Sequence, residues 1–269
     1  MTTLPTEAAT TAWRLAFAEL ANQKVLITGG STGIGAAVAR GFGACGASVG
    51  IVYNSSAEQA HQVADDVRRL GGHATVIQAD LAQAGCARGL VEEAVNQMGG
   101  LDILINNAGS ILGRRPTLEV DDDFYRRIME LNLNSTFTAC QAALKIFSRQ
   151  GRGTIINTTS LAARMGGGPG TVAYASAKAG VSTMTRGLAK EYGALGIRVN
   201  AVSPGFIVTP LHDRFTEPAM METFAKTVPL CRLGVPDDCV GTYLFLASPT
   251  LAGYITGQTI EVNGGILMP

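Results

Sequence analysis

Tyr174 and Lys178 stand four residues apart in the run Tyr-Ala-Ser-Ala-Lys, on one face of a segment that reads as a helix. A free tyrosine has a pKa near 10, too high for an efficient base at neutral pH. An ammonium nearby favours the phenolate, so such a pair is suited to moving a proton on and off an oxygen. Six tyrosines and five lysines in 269 residues give about 0.1 such pairs by chance. Tyr174 is the only tyrosine here with lysine at that offset. The plain alternative is a surface pair worth a few tenths of a kcal/mol.

A second feature concerns anions. Thr28-Gly29-Gly30-Ser31-Thr32-Gly33-Ile34-Gly35 joins an apolar run to a helical pattern. Glycines there let the backbone turn tightly, approach a phosphate closely and pack helix against strand. The helix start then offers unpaired amides to a pyrophosphate. The spacing is GxxxGxG, not the GxGxxG of the ordinary dinucleotide fingerprint, and a tight turn without ligand would use the same glycines.

Around these residues, short apolar runs alternate with helix-length segments. The runs are Val25–Thr28, Ala47–Val52, Ala74–Gln78, Leu101–Ile105, Thr154–Asn157, Ile197–Val202 and Thr259–Val262. They are continuous rather than alternating, as in strands buried on both faces of a parallel sheet. Helices are expected over about 34–45, 57–70, 84–98, 121–149, 172–194 and 236–248, with Gly71-Gly72, Gly99-Gly100 and Gly151/Gly153 marking the returns to strand. The pattern predicts a single-domain, doubly wound α/β fold of Rossmann type, a seven-stranded parallel sheet with helices on both faces. Residues 1–22 read as an N-terminal extension, with Thr10-Thr11 capping a short helix that carries Trp13, Phe17 and Leu20, and 23–269 as the domain. The stretch 203–235, rich in proline (Pro204, Pro210, Pro218, Pro229), breaks the rhythm. A substrate lid is expected over about 205–235.

Composition excludes several classes. With 21 basic and 21 acidic residues the chain has no global field to hold nucleic acid or an anionic membrane. Five cysteines (Cys45, Cys86, Cys140, Cys231, Cys239) without a CxxC pair argue against a disulfide scaffold or zinc ribbon. His61, His73 and His212 lie far apart, so no metal site is expected. The chain starts without a secretory pattern and holds no apolar run of the roughly 20 residues that cross a bilayer. A cytoplasmic protein is expected.

The loop TGxxxGIG resembles that of the short-chain dehydrogenase/reductase family, and the resemblance covers about residues 22–265. Asp80 after the third strand, Asn106-Asn107-Ala108-Gly109 after the fourth, Pro204-Gly205 after the sixth and Asn263-Gly264-Gly265 near the end match further family motifs in order, the last with Asn for Asp. The resemblance implies that Tyr174 is the general acid/base beside a reacting C–O bond and that Lys178 also holds the nicotinamide ribose. Ser160, fourteen residues before Tyr174, then hydrogen-bonds the reacting oxygen, with Thr159 a weaker substitute. Asn132 matches the asparagine that holds a water relaying protons to the lysine, with Asn134 ranked second. By the same resemblance the dinucleotide meets Gly29, Ser31, Thr32, Gly33, Ile34, Gly35, Tyr53, Asn54, Ser55, Asp80, Leu81, Asn106, Ala108, Gly109, Tyr174, Lys178, Pro204, Gly205, Ile207 and Thr209.

The residue ending the second strand separates the two nicotinamide cofactors, because a carboxylate there binds a ribose 2′-hydroxyl and repels a 2′-phosphate. Tyr53 occupies that position and Asn54, Ser55 and Ser56 follow, so NADP(H) is predicted, with NAD(H) the runner-up. Thr32 stands where NADP-using members often carry arginine. Ser110-Ile111-Leu112, Leu161-Ala162-Ala163, Phe206-Ile207 and Leu211-His212 are expected to line a mostly apolar pocket for a small ketone or secondary alcohol. Met165–Gly170 reads as a loose loop, with a flexible pocket wall the alternative, and Arg114-Arg115 and Arg126-Arg127 as solvated faces, with contact to an anionic substrate the alternative for either pair. A 3-oxoacyl-carrier-protein reductase is the second reading, although only Arg149 and Arg152 suggest a basic rim for an acidic carrier. A catalytically silent dinucleotide sensor is the third, against which the full Asn132/Ser160/Tyr174/Lys178 set speaks. The resemblance also implies a homotetramer, with a dimer as runner-up, and the apolar tail Ile266-Leu267-Met268-Pro269 would be costly to leave in water.

Overall fold

The apolar runs form β1 (Lys24–Ile27), β2 (Ser48–Tyr53), β3 (His73–Gln78), β4 (Ile103–Asn106), β5 (Gly153–Thr158), β6 (Ile197–Pro204) and β7 (Thr259–Val262). The computed structural model describes residues 4–210, 215 and 218–268. All seven strands are parallel, in the order β3-β2-β1-β4-β5-β6-β7. The chain therefore winds outward twice from β1, once toward β3 and once toward β7. The crevice between β1 and β4 is the point where a doubly wound sheet opens to a ligand at its carboxyl ends.

Helices cover both faces. The main ones are α1 (Glu7–Ala16), α2 (Gly33–Ala44), α3 (Ala57–Arg69), α4 (Cys86–Met98), α5 (Asp122–Met129), α6 (Ser135–Gln150), α7 (Ala162–Met165), α8 (Val172–Tyr192), α9 (Pro218–Thr227) and α10 (Asp237–Ala247). One core packs α2, α3 and α10 on the sheet around Phe42, Val63, Val67, Tyr243 and Leu244. The other packs α4, α6 and α8 around Leu90, Val91, Leu144 and Phe147. Central strands are buried on both sides, which is why their sequences lack alternation. Among the described residues no helix is long and apolar enough to cross a membrane.

Two expectations need correction. The segment expected as one helix over 121–149 is divided into α5 and α6 by a π turn at Glu130–Asn134. A π turn widens the backbone spiral and is frequent at functional sites; Asn132 lies in it, fully buried. At the N-terminus the cap is Thr6, whose hydroxyl accepts from Ala9 N, rather than Thr10 or Thr11. The segment packs onto the domain. Phe17 and Leu20 are buried in the first core, and the Arg14 guanidinium donates to the carbonyls of Ala44 and Leu70 at the ends of α2 and α3.

Candidate active site

The glycine loop is built where β1 and β4 end side by side. Thr28 Oγ1 accepts from Asn107 N (2.9 Å) and Ala108 N (3.0 Å), and Asn107 Nδ2 donates to the carbonyls of Thr28 and Gly29 at 3.1 Å. These bonds stitch the two strand ends together. Gly35 tolerates no side chain, since a Cβ there would lie 2.1 Å from Gly29 O. That close approach brings the start of α2 against β1. Thr32 precedes α2 in an extended conformation without a side-chain cap, and the first turn carries no acidic residue. The opening amides of α2 thus have no side-chain acceptor, and they fit a pyrophosphate. Thr209 stands over the same loop, its Cγ2 3.3 Å from where a Gly33 Cβ would sit.

Tyr53 ends β2, and Asn54 and Ser55 follow it beside Asp80, which comes after β3. Asp80 Oδ1 accepts from Asn54 Nδ2 (3.3 Å) and from Ala82 N (3.1 Å), so the aspartate is held by its own loop and by Asn54. No carboxylate ends β2 itself. Three expected dinucleotide contacts are turned inward. Leu81 and Ile207 are core residues, and Asn106 is 4% exposed, its amide donating to Asn157 Oδ1 (2.9 Å) and Cys140 Sγ (3.2 Å).

Beyond the crevice, four side chains converge. Ser160 follows β5, its Oγ accepting from Ala162 N at 3.1 Å. Tyr174, in the first turn of α8, has its buried phenol within the influence of the Ser160 hydroxyl. Lys178 follows one turn later, Nζ donating to Thr158 O at 2.8 Å and standing 5.9 Å from the Tyr174 ring centroid. Asn132 is anchored by three bonds: Oδ1 accepts from Ser110 N (3.0 Å), and Nδ2 donates to the carbonyls of Ser110 and Ile128 (2.9 Å each). A Cβ on Gly109 would lie 2.7 Å from Asn132 Oδ1 and 3.0 Å from Lys178 Nζ, which shows how tightly these groups gather around the end of β4. Asn134 instead donates to Glu130 at an exposed position, and Thr159 is buried with its hydroxyl on Lys178 O (2.9 Å) and Ser182.

Burial dominates the titration of the pair. It pushes the Tyr174 phenol above its ordinary value, with Ser160 acting the other way. It pushes Lys178 down to about 8. Burial therefore prevails in the chain alone, whereas the lowering was expected from the ammonium together with an oxidised nicotinamide ring. The cation is itself penalised by desolvation and directs its hydrogen bond at Thr158 O rather than at the phenol.

Several supporting residues gave no usable signal in the sequence. Asn157 Nδ2 donates to Thr185 Oγ1 (2.9 Å), extending the Asn106 bond into α8. Thr158 Oγ1 and Tyr243 OH share a buried bond of 2.7 Å between β5 and α10. The consecutive polar run Asn157-Thr158-Thr159-Ser160 at the end of β5 was the only hint. The loop at 165–170 is not loose: Thr171 Oγ1 donates to Gly168 O (2.7 Å), and Arg115 N donates to Gly170 O (3.0 Å). Nor is Arg114 a solvated face, since its guanidinium is bonded to backbone on two other segments. Arg126 pairs on the surface with Asp123 as expected. Of the expected pocket residues, Ile111 lines a cavity of about 240 Å³ with Val120, Phe124 and Tyr174, whereas Phe206 and Ile207 line a separate one of about 430 Å³ with Val228 and Leu230. The smaller cavity touches Tyr174 but neither Ser160 nor Lys178, so it flanks the reacting groups. Leu211 and His212 lie outside the described residues. Among the described residues no cluster of three or more His, Cys, Asp or Glu could hold a metal.

A phosphate-ready helix start beside a Ser-Tyr-Lys constellation, at the switch point of a doubly wound sheet, defines a dinucleotide-dependent oxidoreductase. Residues 29–267 match the family model described as enoyl-(acyl carrier protein) reductase. A 3-oxoacyl-[acyl-carrier-protein] reductase from Synechocystis sp. is 39% identical over 249 residues, spanning 93% of this chain and 98% of that protein. 3beta-hydroxysteroid dehydrogenase 1 from Eggerthella lenta is 36% identical over 252 residues, spanning 93% of this chain and 95% of its own. Among solved structures, the NADH-dependent reductase A1-R′ complexed with NAD superposes with a TM-score of 0.84 at 33% identity, over 94% of this chain and 100% of that one. A protein described as an NAD(P)-dependent gluconate 5-dehydrogenase from Beutenbergia cavernae, with bound NADP, gives 0.85 at 32% identity, over 91% and 97%. The chain belongs to the short-chain dehydrogenase/reductase family, whose members bind a nicotinamide dinucleotide and act on CH–OH/C=O groups.

Proposed function

We propose that this chain interconverts a small-molecule ketone and its secondary alcohol with NADP(H), and that Tyr174 is the general acid/base. The observation that carries the reading is the gathering of Tyr174, Lys178 and Asn132 around the end of β4, with Lys178 Nζ 5.9 Å from the Tyr174 ring centroid and within reach of Gly109. Gly29, the α2 amides, Asn54, Ser55 and Thr209 would hold the dinucleotide, which when bound supplies or accepts the hydride at the reacting carbon. Burial keeps the phenol protonated at neutral pH, the state needed to donate a proton to a carbonyl oxygen as it becomes an alkoxide. Ser160 offers that oxygen a second donor, worth most when negative charge develops. Lys178, with its pKa near 8, is still largely an ammonium at pH 7 and steadies the phenolate left behind. Asn132 fixes the Ser110 loop against this group.

NADP(H) is favoured over NAD(H) because Tyr53, Asn54 and Ser55 bring no carboxylate to the end of β2. A second reading, reduction of a 3-oxoacyl thioester on a carrier protein, is favoured by the 39% identity to the Synechocystis reductase. Measuring NADPH and NADH oxidation over ketones, keto sugars and 3-oxoacyl thioesters tests both. Turnover of free ketones supports the first reading, preference for the carrier-bound thioester supports the second, and silence on all of them rejects both.

For assembly we propose a homotetramer. Tyr125 and Phe137, on α5 and α6, and Val172 at the start of α8 are exposed apolar residues. Light scattering that shows a monomer at working concentration rejects that part. The described cysteines are all free thiols, which suits the reducing cytoplasm.

A further inference from the structure

We propose that Arg114 is a positioning residue for the reaction: it clasps the loop before α8 and the segment after β6 to the loop after β4, and so sets the width of the substrate cleft in front of Tyr174. The inference rests on the function proposed above. Its basis is a convergence of three separate stretches on one guanidinium. Arg114 Nε donates to Phe215 O at 3.0 Å, and Nη1 donates to Pro169 O at 3.2 Å. Phe215 lies 101 residues further along the chain and Pro169 lies 55 further along. Both acceptors are backbone carbonyls, so the contact depends on where those segments run and not on their side chains.

The mounting of Arg114 is stiff. Ser110 is gripped in both directions by Asn132, and Ser110 Oγ accepts from Leu112 N at 3.1 Å. Leu112 and Gly113 then take positive φ values (53° and 138°), a twisted backbone that aims the next residue across the cleft. Arg114 is thus tied, through Leu112 and Ser110, to the same Asn132 that packs against Gly109 beside Lys178. On the opposite side the fit is close: a Cβ on Gly170 would lie 2.9 Å from Arg115 N and 3.1 Å from Arg114 Cβ. Arg115 N donates to Gly170 O in the same seam (3.0 Å). The stretch after β6 is held again further on, where Phe206 and Phe224 stack with centroids 3.9 Å apart and planes within 1°. Arginine suits the task because its planar fork can serve two acceptors at fixed angles, which a lysine ammonium on a flexible stem cannot do as well.

Tyr174 starts four residues after Gly170, so the loop that Arg114 holds leads directly into the reacting phenol. Loosening it changes how substrate is held more than how the proton moves. The test compares Arg114→Ala and Arg114→Lys with the unaltered protein. In Arg114→Ala the KM for the carbonyl substrate should rise about ten-fold, with kcat and NADPH affinity within about two-fold, the pattern of lost binding common to ground and transition states. Arg114→Lys should recover part of the KM. Amide hydrogen exchange, which needs no turnover, should quicken in 166–171 and in α9 while β1 and β4 stay protected. An unchanged KM, unchanged exchange in those two segments, or exchange raised throughout the sheet would each overturn the assignment. If no carbonyl compound is reduced by the unaltered protein, the function proposed above fails and the exchange measurement alone decides the clasp.

Discussion

Lys178 makes a prediction whose size follows from its surroundings. Only 3% of it is exposed, and its pKa falls from 10.5 to about 8 because burial disfavours the charged form. At about 1.4 kcal/mol per pH unit, keeping the ammonium buried at pH 7 costs about 3 kcal/mol of stability. Lys178→Met removes the charge and fills a similar volume, but it leaves Thr158 O without its donor, a loss of about 1 kcal/mol. The variant should therefore be about 2 kcal/mol more stable than the unaltered protein at pH 7 while losing activity. The sign with pH follows from proton counting. Between pH 8 and 10.5 the unfolded lysine keeps its proton and the folded one has released it, so the unaltered protein gains stability as pH rises. It regains about 2 kcal/mol by about pH 9.5, where the two proteins should become equal. Urea unfolding of both at pH 7 and pH 9.5 measures the difference, in which all other titrations cancel. A variant less stable at pH 7, or a difference that does not move with pH, would refute this reasoning about a buried ammonium.

Two further outcomes are expected. Gly109→Ala would place a methyl carbon 2.7 Å from Asn132 Oδ1 and 3.0 Å from Lys178 Nζ, and the forced shift should lower kcat/KM about 100-fold in steady-state assays. Tyr53→Asp restores a carboxylate at the end of β2, and the ratio of kcat/KM values should move toward NAD(H) by about ten-fold or more.

The strands were readable because burial on both faces writes continuous apolar runs, and β7 matched to the residue while the others moved by one or two positions. Tyr174 and Lys178 were readable because helical spacing puts them near one another, as they are in the structure, whereas Ser160 came through the family resemblance. The break in the helix at Glu130–Asn134 was not, since Leu131 and Leu133 continue an ordinary helical pattern and only the buried bonds of Asn132 reveal why the spiral widens. The role of Arg114 was hidden for another reason: its partners are carbonyls of Pro169 and Phe215, and backbone acceptors leave no trace in residue identity. Asn106 was named through a family motif, and no residue identity shows that its amide is buried against Asn157.

The central claim is that the Tyr174 hydroxyl carries the proton that accompanies hydride transfer. Tyr174→Phe removes that oxygen alone, from a residue already packed in place, and two numbers then decide: turnover of the best carbonyl substrate and the NADPH dissociation constant. The account predicts turnover lowered about 1,000-fold with dinucleotide affinity changed by no more than about two-fold. A variant that reduces substrate at near the original rate would contradict it.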